Sequence, residues 1–114
     1  MAKQTPEAGP RMTQATLAVL RALSTHPTDA MYGLQICAEA GLPSGTIHPI
    51  LARLETAGWL DSSWEDIDPV EQGRPRRRYY RLSPAGAARA HNALTRADAA
   101  VAALRVRPAA GGAA

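Results

Sequence analysis

Between residues 71 and 81 the chain carries Arg74, Arg76, Arg77, Arg78 and Arg81 against a single acid, Glu71. That is a local charge of +4 in a 114-residue chain of net charge +3, so everything outside the segment sums to −1. Positive charge focused on one short stretch, with the remainder near neutral, is an electrostatic footprint for nucleic acid. Gly73 permits a tight bend, and Pro75, between Arg74 and Arg76, favours an extended backbone. This arrangement suits guanidinium groups entering a narrow, electronegative A·T-rich minor groove or meeting phosphate. A solvated charge cluster in a flexible loop is the plain alternative.

A second constellation lies upstream. Ser44, Gly45 and Thr46 open a helical pattern with small hydrogen-bonding residues that have little to bury. A helix N-terminus offers free amides and a positive dipole to phosphate, and small side chains let DNA approach closely. His48 and Arg53 follow on the polar side of the same helix. A histidine there can donate to a phosphate or a base edge, or simply stand in water. Only His26, His48 and His91 occur, and no second ligand sits at helical spacing from His48, which argues against a metal.

Catalysis finds no support in the residue types. There is no paired His/Cys or Ser/His constellation, no glycine-rich phosphate loop and no metal-ligand spacing. The acids Asp61, Glu65, Asp66, Asp68 and Glu71 lie beside the basic segment without a partner base. The expectation is a non-enzyme with no cofactor.

At this length the chain forms one domain with a modest core. Of its residues 46% are apolar, many of them alanine, and there is no phenylalanine. Such a core is often completed by a partner chain. The only cysteine, Cys37, excludes an intramolecular disulfide and fits a reducing cytoplasm; it lies in an apolar helix pattern and reads as inert core. No apolar run approaches the roughly 18 residues of a membrane span, and MAKQTPEAGP lacks the hydrophobic region of a secretory signal. A cytoplasmic protein is expected, with no membrane partner.

The elements that must position these residues follow from periodicity and punctuation. Residues 1–10 and 107–114 are Pro/Gly/Ala-rich and read as disordered ends. A first helix spans about Met12 to Ser24, with Met12, Thr16, Val19, Leu20 and Leu23 on one face. His26-Pro27 ends it. Asp29 can cap a short second helix from Met31 to Ala40, stopped by Gly41. Ser44 caps a third, to Ala57, with Ile47, Ile50, Leu51 and Leu54 in a narrow stripe and Gly58 as its stop. Pro49 sits early enough to cost little.

Strands are expected near Leu60–Ile67 and Arg77–Leu82, joined by a polar loop with Asp68-Pro69 and Gly73. Tyr80 shares a face with Leu82 and reads as core, whereas Tyr79 shares one with Arg77 and Arg81 and reads as a DNA-backbone contact. Ser83-Pro84 starts a last helix to about Val106. The class is mainly α with a small β-wing, order α-α-α-β-β-α. This is the winged helix-turn-helix order, with a DNA-binding part over 11–82 and a closing helix over 83–106.

YG at 32–33, GL at 41–42, SGTIHPILARLETAGWL at 44–60 and GRPRRRYYRLSPAG at 73–86 resemble the PadR family of bacterial transcriptional regulators. The likeness covers about residues 12–106, and the single closing helix is similar to the compact subgroup. It implies a dimeric winged-helix repressor that binds double-stranded DNA and is often released by a small ligand. Two departures bear on the operator: His48 stands where a tyrosine is usual, and Arg76-Arg77-Arg78 has one arginine more than the usual wing. The Gly-Arg-Pro stretch also resembles the short core of AT-hook peptides.

The remaining candidates follow. Tyr32 can donate its hydroxyl to a phosphate or be buried in the core. Trp59 and Trp64 read as packing anchors, with Trp64 also able to line an effector pocket. The last helix is alanine-rich, and Leu94, Val101 and Leu104, with Met12 of the first helix, are the candidate dimer contacts. A different class of function is a winged-helix interaction module, antirepressor-like, whose basic wing meets an acidic protein.

Overall fold

A computed structural model describes residues 9–112, with side-chain surroundings through Arg105. The elements run α1 (Gln14–Thr25), β1 (Met31–Tyr32), α2 (Gly33–Ala40), α3 (Ser44–Thr56), β2 (Leu60–Trp64), α4 (Pro69–Gln72), β3 (Arg78–Leu82) and α5 (Pro84–Gly112). The strands form one antiparallel sheet in the order β1-β3-β2. The expected class, mainly helical with a small β-wing, is found.

Local chemistry explains most boundaries. The Thr13 side chain accepts the Thr16 amide at 3.1 Å and so starts α1. Gly41, at φ +71°, ends α2 in the left-handed conformation that glycine adopts without strain. The α3 stripe is fully inside: Ile47, Ile50, Leu51 and Leu54 join Val19, Leu20, Leu23, Ile36, Trp59 and Leu60 in one core. Each large apolar side chain contributes about 1.5–3 kcal/mol on burial. Tyr80 packs partly on that core, on the face expected for it.

Four boundaries differ from the sequence reading. Met31 and Tyr32 form a strand, not a first helical turn, because they pair with Tyr80 and Tyr79 across β3. The helix therefore begins at Gly33, and Gln35 Oε1, not Asp29, accepts the amide of the cap residue Tyr32 at 3.0 Å. Ser44 is the first residue of α3, and Pro43 occupies the cap. β2 ends at Trp64, and the loop after it contains α4, started by Asp68 accepting the Val70 amide at 3.0 Å with Pro69 in the first turn. Residues 107–112, read as part of a tail, continue α5, although Pro108, Gly111 and Gly112 are poor helix formers. The other tail, 1–10, lies outside the described residues up to position 8.

The turn after α3 fixes where α5 starts. Ser83 Oγ donates to the Gly58 carbonyl at 2.7 Å and accepts the Gly86 amide at 2.9 Å, while the Ser83 amide donates to the Trp59 carbonyl at 2.9 Å. Gly86 lies so close that an added Cβ would stand 1.9 Å from the Trp59 carbonyl oxygen. α5 then crosses α1, with Ala90 buried and an exposed Arg21–Asp98 pair at 3.1 Å.

Candidate nucleic-acid interface

The buried stripe sets the rotation of α3. With Ile47 and Leu54 at 0% exposure, the opposite side of the helix must face solvent. Ser44, Gly45, His48 and Arg53 are exposed, and Thr46 is half-buried. An added Cβ at Gly45 would meet nothing within 4 Å, so this turn presents an open backbone. The His48 ring rests against the start of α2: a Cβ at Gly33 would come 3.1 Å from its Cε1. Gly33, the glycine of the Tyr-Gly motif at 32–33, is thus a close-approach position.

The wing is built on the β2–β3 register from Leu60↔Leu82 to Trp64↔Arg78. Side chains alternate across it, so Arg78 shares one face with Tyr80 while Tyr79 turns to the other. On the first face Arg78 donates to Ser62 Oγ at 2.7 Å and lies 3.5 Å from Glu55 Oε2. Ser62 Oγ in turn donates to the same Glu55 oxygen. The Arg78 guanidinium also sits 5.0 Å from the Trp64 ring centre. This chain of contacts ties the wing to the C-terminal half of α3.

On the other face the Arg77 guanidinium stacks 4.1 Å from the Tyr32 ring centre, and Tyr32 meets Tyr79 edge-on at 5.6 Å. Tyr32 therefore forms one cluster with Arg77 and Tyr79, from which more than forty positions separate it in sequence. Glu65 accepts both Arg74 Nη1 and Nη2, at 2.7 and 2.8 Å, and the Arg77 amide at 3.1 Å. The hydrogen bonds from Arg74, with smaller help from the Arg77 amide and both positive charges, hold the Glu65 carboxyl at about 2. Glu65, read as an acid without a partner, has a basic one nine residues on. Arg76 is exposed, its Nε donating to the Ile67 carbonyl at 2.9 Å.

The two tryptophans part company. Trp59 is the buried anchor expected, but Trp64 is 62% exposed because its strand position lies beyond the core. With Pro69, Val70, Pro75 and Arg76 it lines an open depression of about 640 Å³ on the wing. Of the candidate dimer contacts, Met12, Val101 and Leu104 are exposed, whereas Leu94 packs partly on its own core. Cys37 is half-buried against that core.

Residues 19–92, well over half of the chain, match the transcriptional regulator PadR-like family. The chain belongs to that family. PadR-like proteins are DNA-binding transcriptional regulators, so family and fold place this chain among regulators and not among enzymes. The PadR-like regulator of Bacillus cereus shares the fold at a TM-score of 0.63 and 14% identity, covering 79% of this chain and 86% of that one. The PcaV transcriptional regulator of Streptomyces coelicolor is similar at a TM-score of 0.66 and 27% identity, over 85% of this chain and 62% of its own. A 62-residue stretch is 37% identical to an aldehyde dehydrogenase of Emericella nidulans, 54% of this chain but only 12% of that protein. So short a share carries no dehydrogenase chemistry. Among the described residues no helix is long and apolar enough to cross a membrane.

In this PadR-like chain the helix-turn-helix and wing thus present two kinds of surface. The α3 start is open and polar. Arg74, Arg77 and Arg78 already hold side-chain partners within the chain, whereas Arg76 and Arg81 are exposed. Glu55, Ser62 and Glu65, which make those partnerships, were not identifiable from spacing, because each reaches its arginine only through the folded hairpin.

Proposed function

We propose that this chain is a homodimeric repressor, reading an inverted-repeat operator with the first turns of α3 and gripping the flanking backbone with the wing. The observation that carries the reading is the exposed run Ser44, Gly45 and His48 on a helix whose other side is locked in the core. A recognition helix set in the major groove presents its N-terminal residues to base edges in this way. Ser44, Thr46 and His48 are assigned to bases or nearby phosphates, and Arg53 and Arg76 to phosphate. The Tyr32 hydroxyl and the Arg77–Tyr79 cluster are assigned to the backbone beside the α2 start.

Exposed Val101 and Leu104 on α5, with Met12 beside α1, are the apolar surface assigned to a twofold partner. Two such subunits would place their α3 helices about 34 Å apart, one turn of duplex. Release by a small ligand draws support from PcaV, whose structure was solved in complex with its natural ligand. A cytoplasmic site of action fits this role. Selection of bound fragments from the native genome, with light scattering on the free protein, tests the reading. It predicts a shared inverted repeat and a dimer; sequence-independent capture, or a monomer at micromolar concentration, would refute it.

A further inference from the structure

We propose that Glu65 is a positioning residue that withdraws Arg74 from DNA and uses it to brace the wing. This rests on the reading that the wing meets the DNA backbone.

Glu65 stands just past the end of β2 and grips the returning chain at two places. Its carboxylate takes both Arg74 nitrogens in parallel, at 2.7 and 2.8 Å, the bidentate geometry in which guanidinium and carboxylate pair most strongly. The same carboxylate accepts the Arg77 amide, and the Glu65 amide donates to the Arg77 carbonyl at 2.8 Å. One acid therefore fixes both ends of the Arg74–Arg77 turn. The pair is shielded as well, with side-chain exposures of 16% for Glu65 and 33% for Arg74. Arg74 adds its amide to the Pro69 carbonyl at 3.1 Å, so its backbone is anchored to α4 too.

A phosphate must displace a fixed carboxylate to reach Arg74, whereas Arg76 has only a single bond to a carbonyl and an exposed tip. With its carboxyl held at about 2, Glu65 stays ionised near neutrality and does not release Arg74 by protonation. The wing therefore offers fewer phosphate contacts than its arginine count suggests. Arg74 contributes shape; Arg76 contributes charge.

Salt titrations of the full chain on a random-sequence duplex separate these roles, because each phosphate contact adds about 0.9 to the log–log slope. Arg76→Ala should flatten the slope by about 0.9. Arg74→Ala should weaken binding equally at all salt concentrations and leave the slope unchanged. Glu65→Gln keeps an oxygen for the Arg77 amide but drops the charge that retains Arg74. Its slope should steepen by about 0.9, making affinity roughly three- to fourfold more sensitive between about 50 and 200 mM salt. The double change with Arg74→Ala should restore the original slope.

If Glu65→Gln keeps its melting transition yet shows the parent slope, the proposal is overturned. If that variant does not fold, Arg74→Ala decides: a slope flattened like that of Arg76→Ala means Arg74 meets phosphate, and the proposal falls while the wing reading stands. An unchanged slope for Arg76→Ala would remove the wing reading itself, and the proposal with it.

Discussion

The start of α3 and the wing carry the two features most suggestive of DNA binding, yet their side chains stand in opposite conditions. At the α3 start Ser44, Gly45 and His48 are exposed and Thr46 is half-buried, on a helix whose rotation is fixed by four buried aliphatics. In the wing three of the arginines are spoken for: Arg74 by Glu65, Arg77 by Tyr32, Arg78 by Ser62, Glu55 and Trp64. Charge density along a sequence measures the field around a loop, not the number of charges free to meet a ligand. A wing rigidified by its own acids presents a fixed shape, at the expense of some contacts. The helix start keeps its hydrogen-bonding capacity for an outside partner.

Both regions hang on the junction at Trp59, and breaking it should have the largest effect. Gly86→Ala places a methyl against the Trp59 backbone, where no flexible side chain can yield. Overpacking of this kind costs about 1–3 kcal/mol, occasionally more, when backbone must move. Thermal melts should show a large drop, with helix-start and wing functions lost together; a nearly unchanged melt would show that α5 approaches differently.

Arg78→Ala sharpens the contrast with less force. Its ion pair is about one-third exposed on each side, so stability should fall by no more than about 1 kcal/mol. If Arg78 links the wing to α3, operator affinity should drop while the salt slope stays as in the parent chain. A slope flatter by about 0.9 would make it a phosphate contact instead.

The smallest effect concerns acid. The Glu65 carboxyl, lowered from 4.5 to about 2, favours the folded state only while ionised. Its contribution is complete above the unfolded value and is lost as pH falls from about 4.5 through 2. Glu65→Gln lacks this component, so its melting temperature should fall less over that window than that of the parent. Parallel acid profiles would contradict the pairing.

What sequence could reveal followed the range of the interaction. Helix stops at Gly41 and Gly58, the Ser83-Pro84 start and the α3 stripe depend on neighbours within a few positions, and they were legible. β1 was not, because Met31 and Tyr32 become a strand only through partners almost fifty residues away. α4 was hidden by its length, a single turn set by Asp68 and Pro69 that also suits a loop. At the site, the exposed side of α3 was readable from the buried one. The Glu65–Arg74 pairing was not: nine residues is no helical or strand spacing, and only the bend through α4 brings the two together.

The division of labour between α3 and the wing is tested most directly by the affinity of His48→Ala for its operator and for random duplex, measured side by side. Exposed His48 should be replaceable with a stability change below about 0.5 kcal/mol. If it meets a base edge, operator binding should weaken by about 1–3 kcal/mol, with a smaller loss on random DNA. An equal loss on both duplexes, or a large fall in melting temperature, would contradict the assignment of sequence reading to this face of α3.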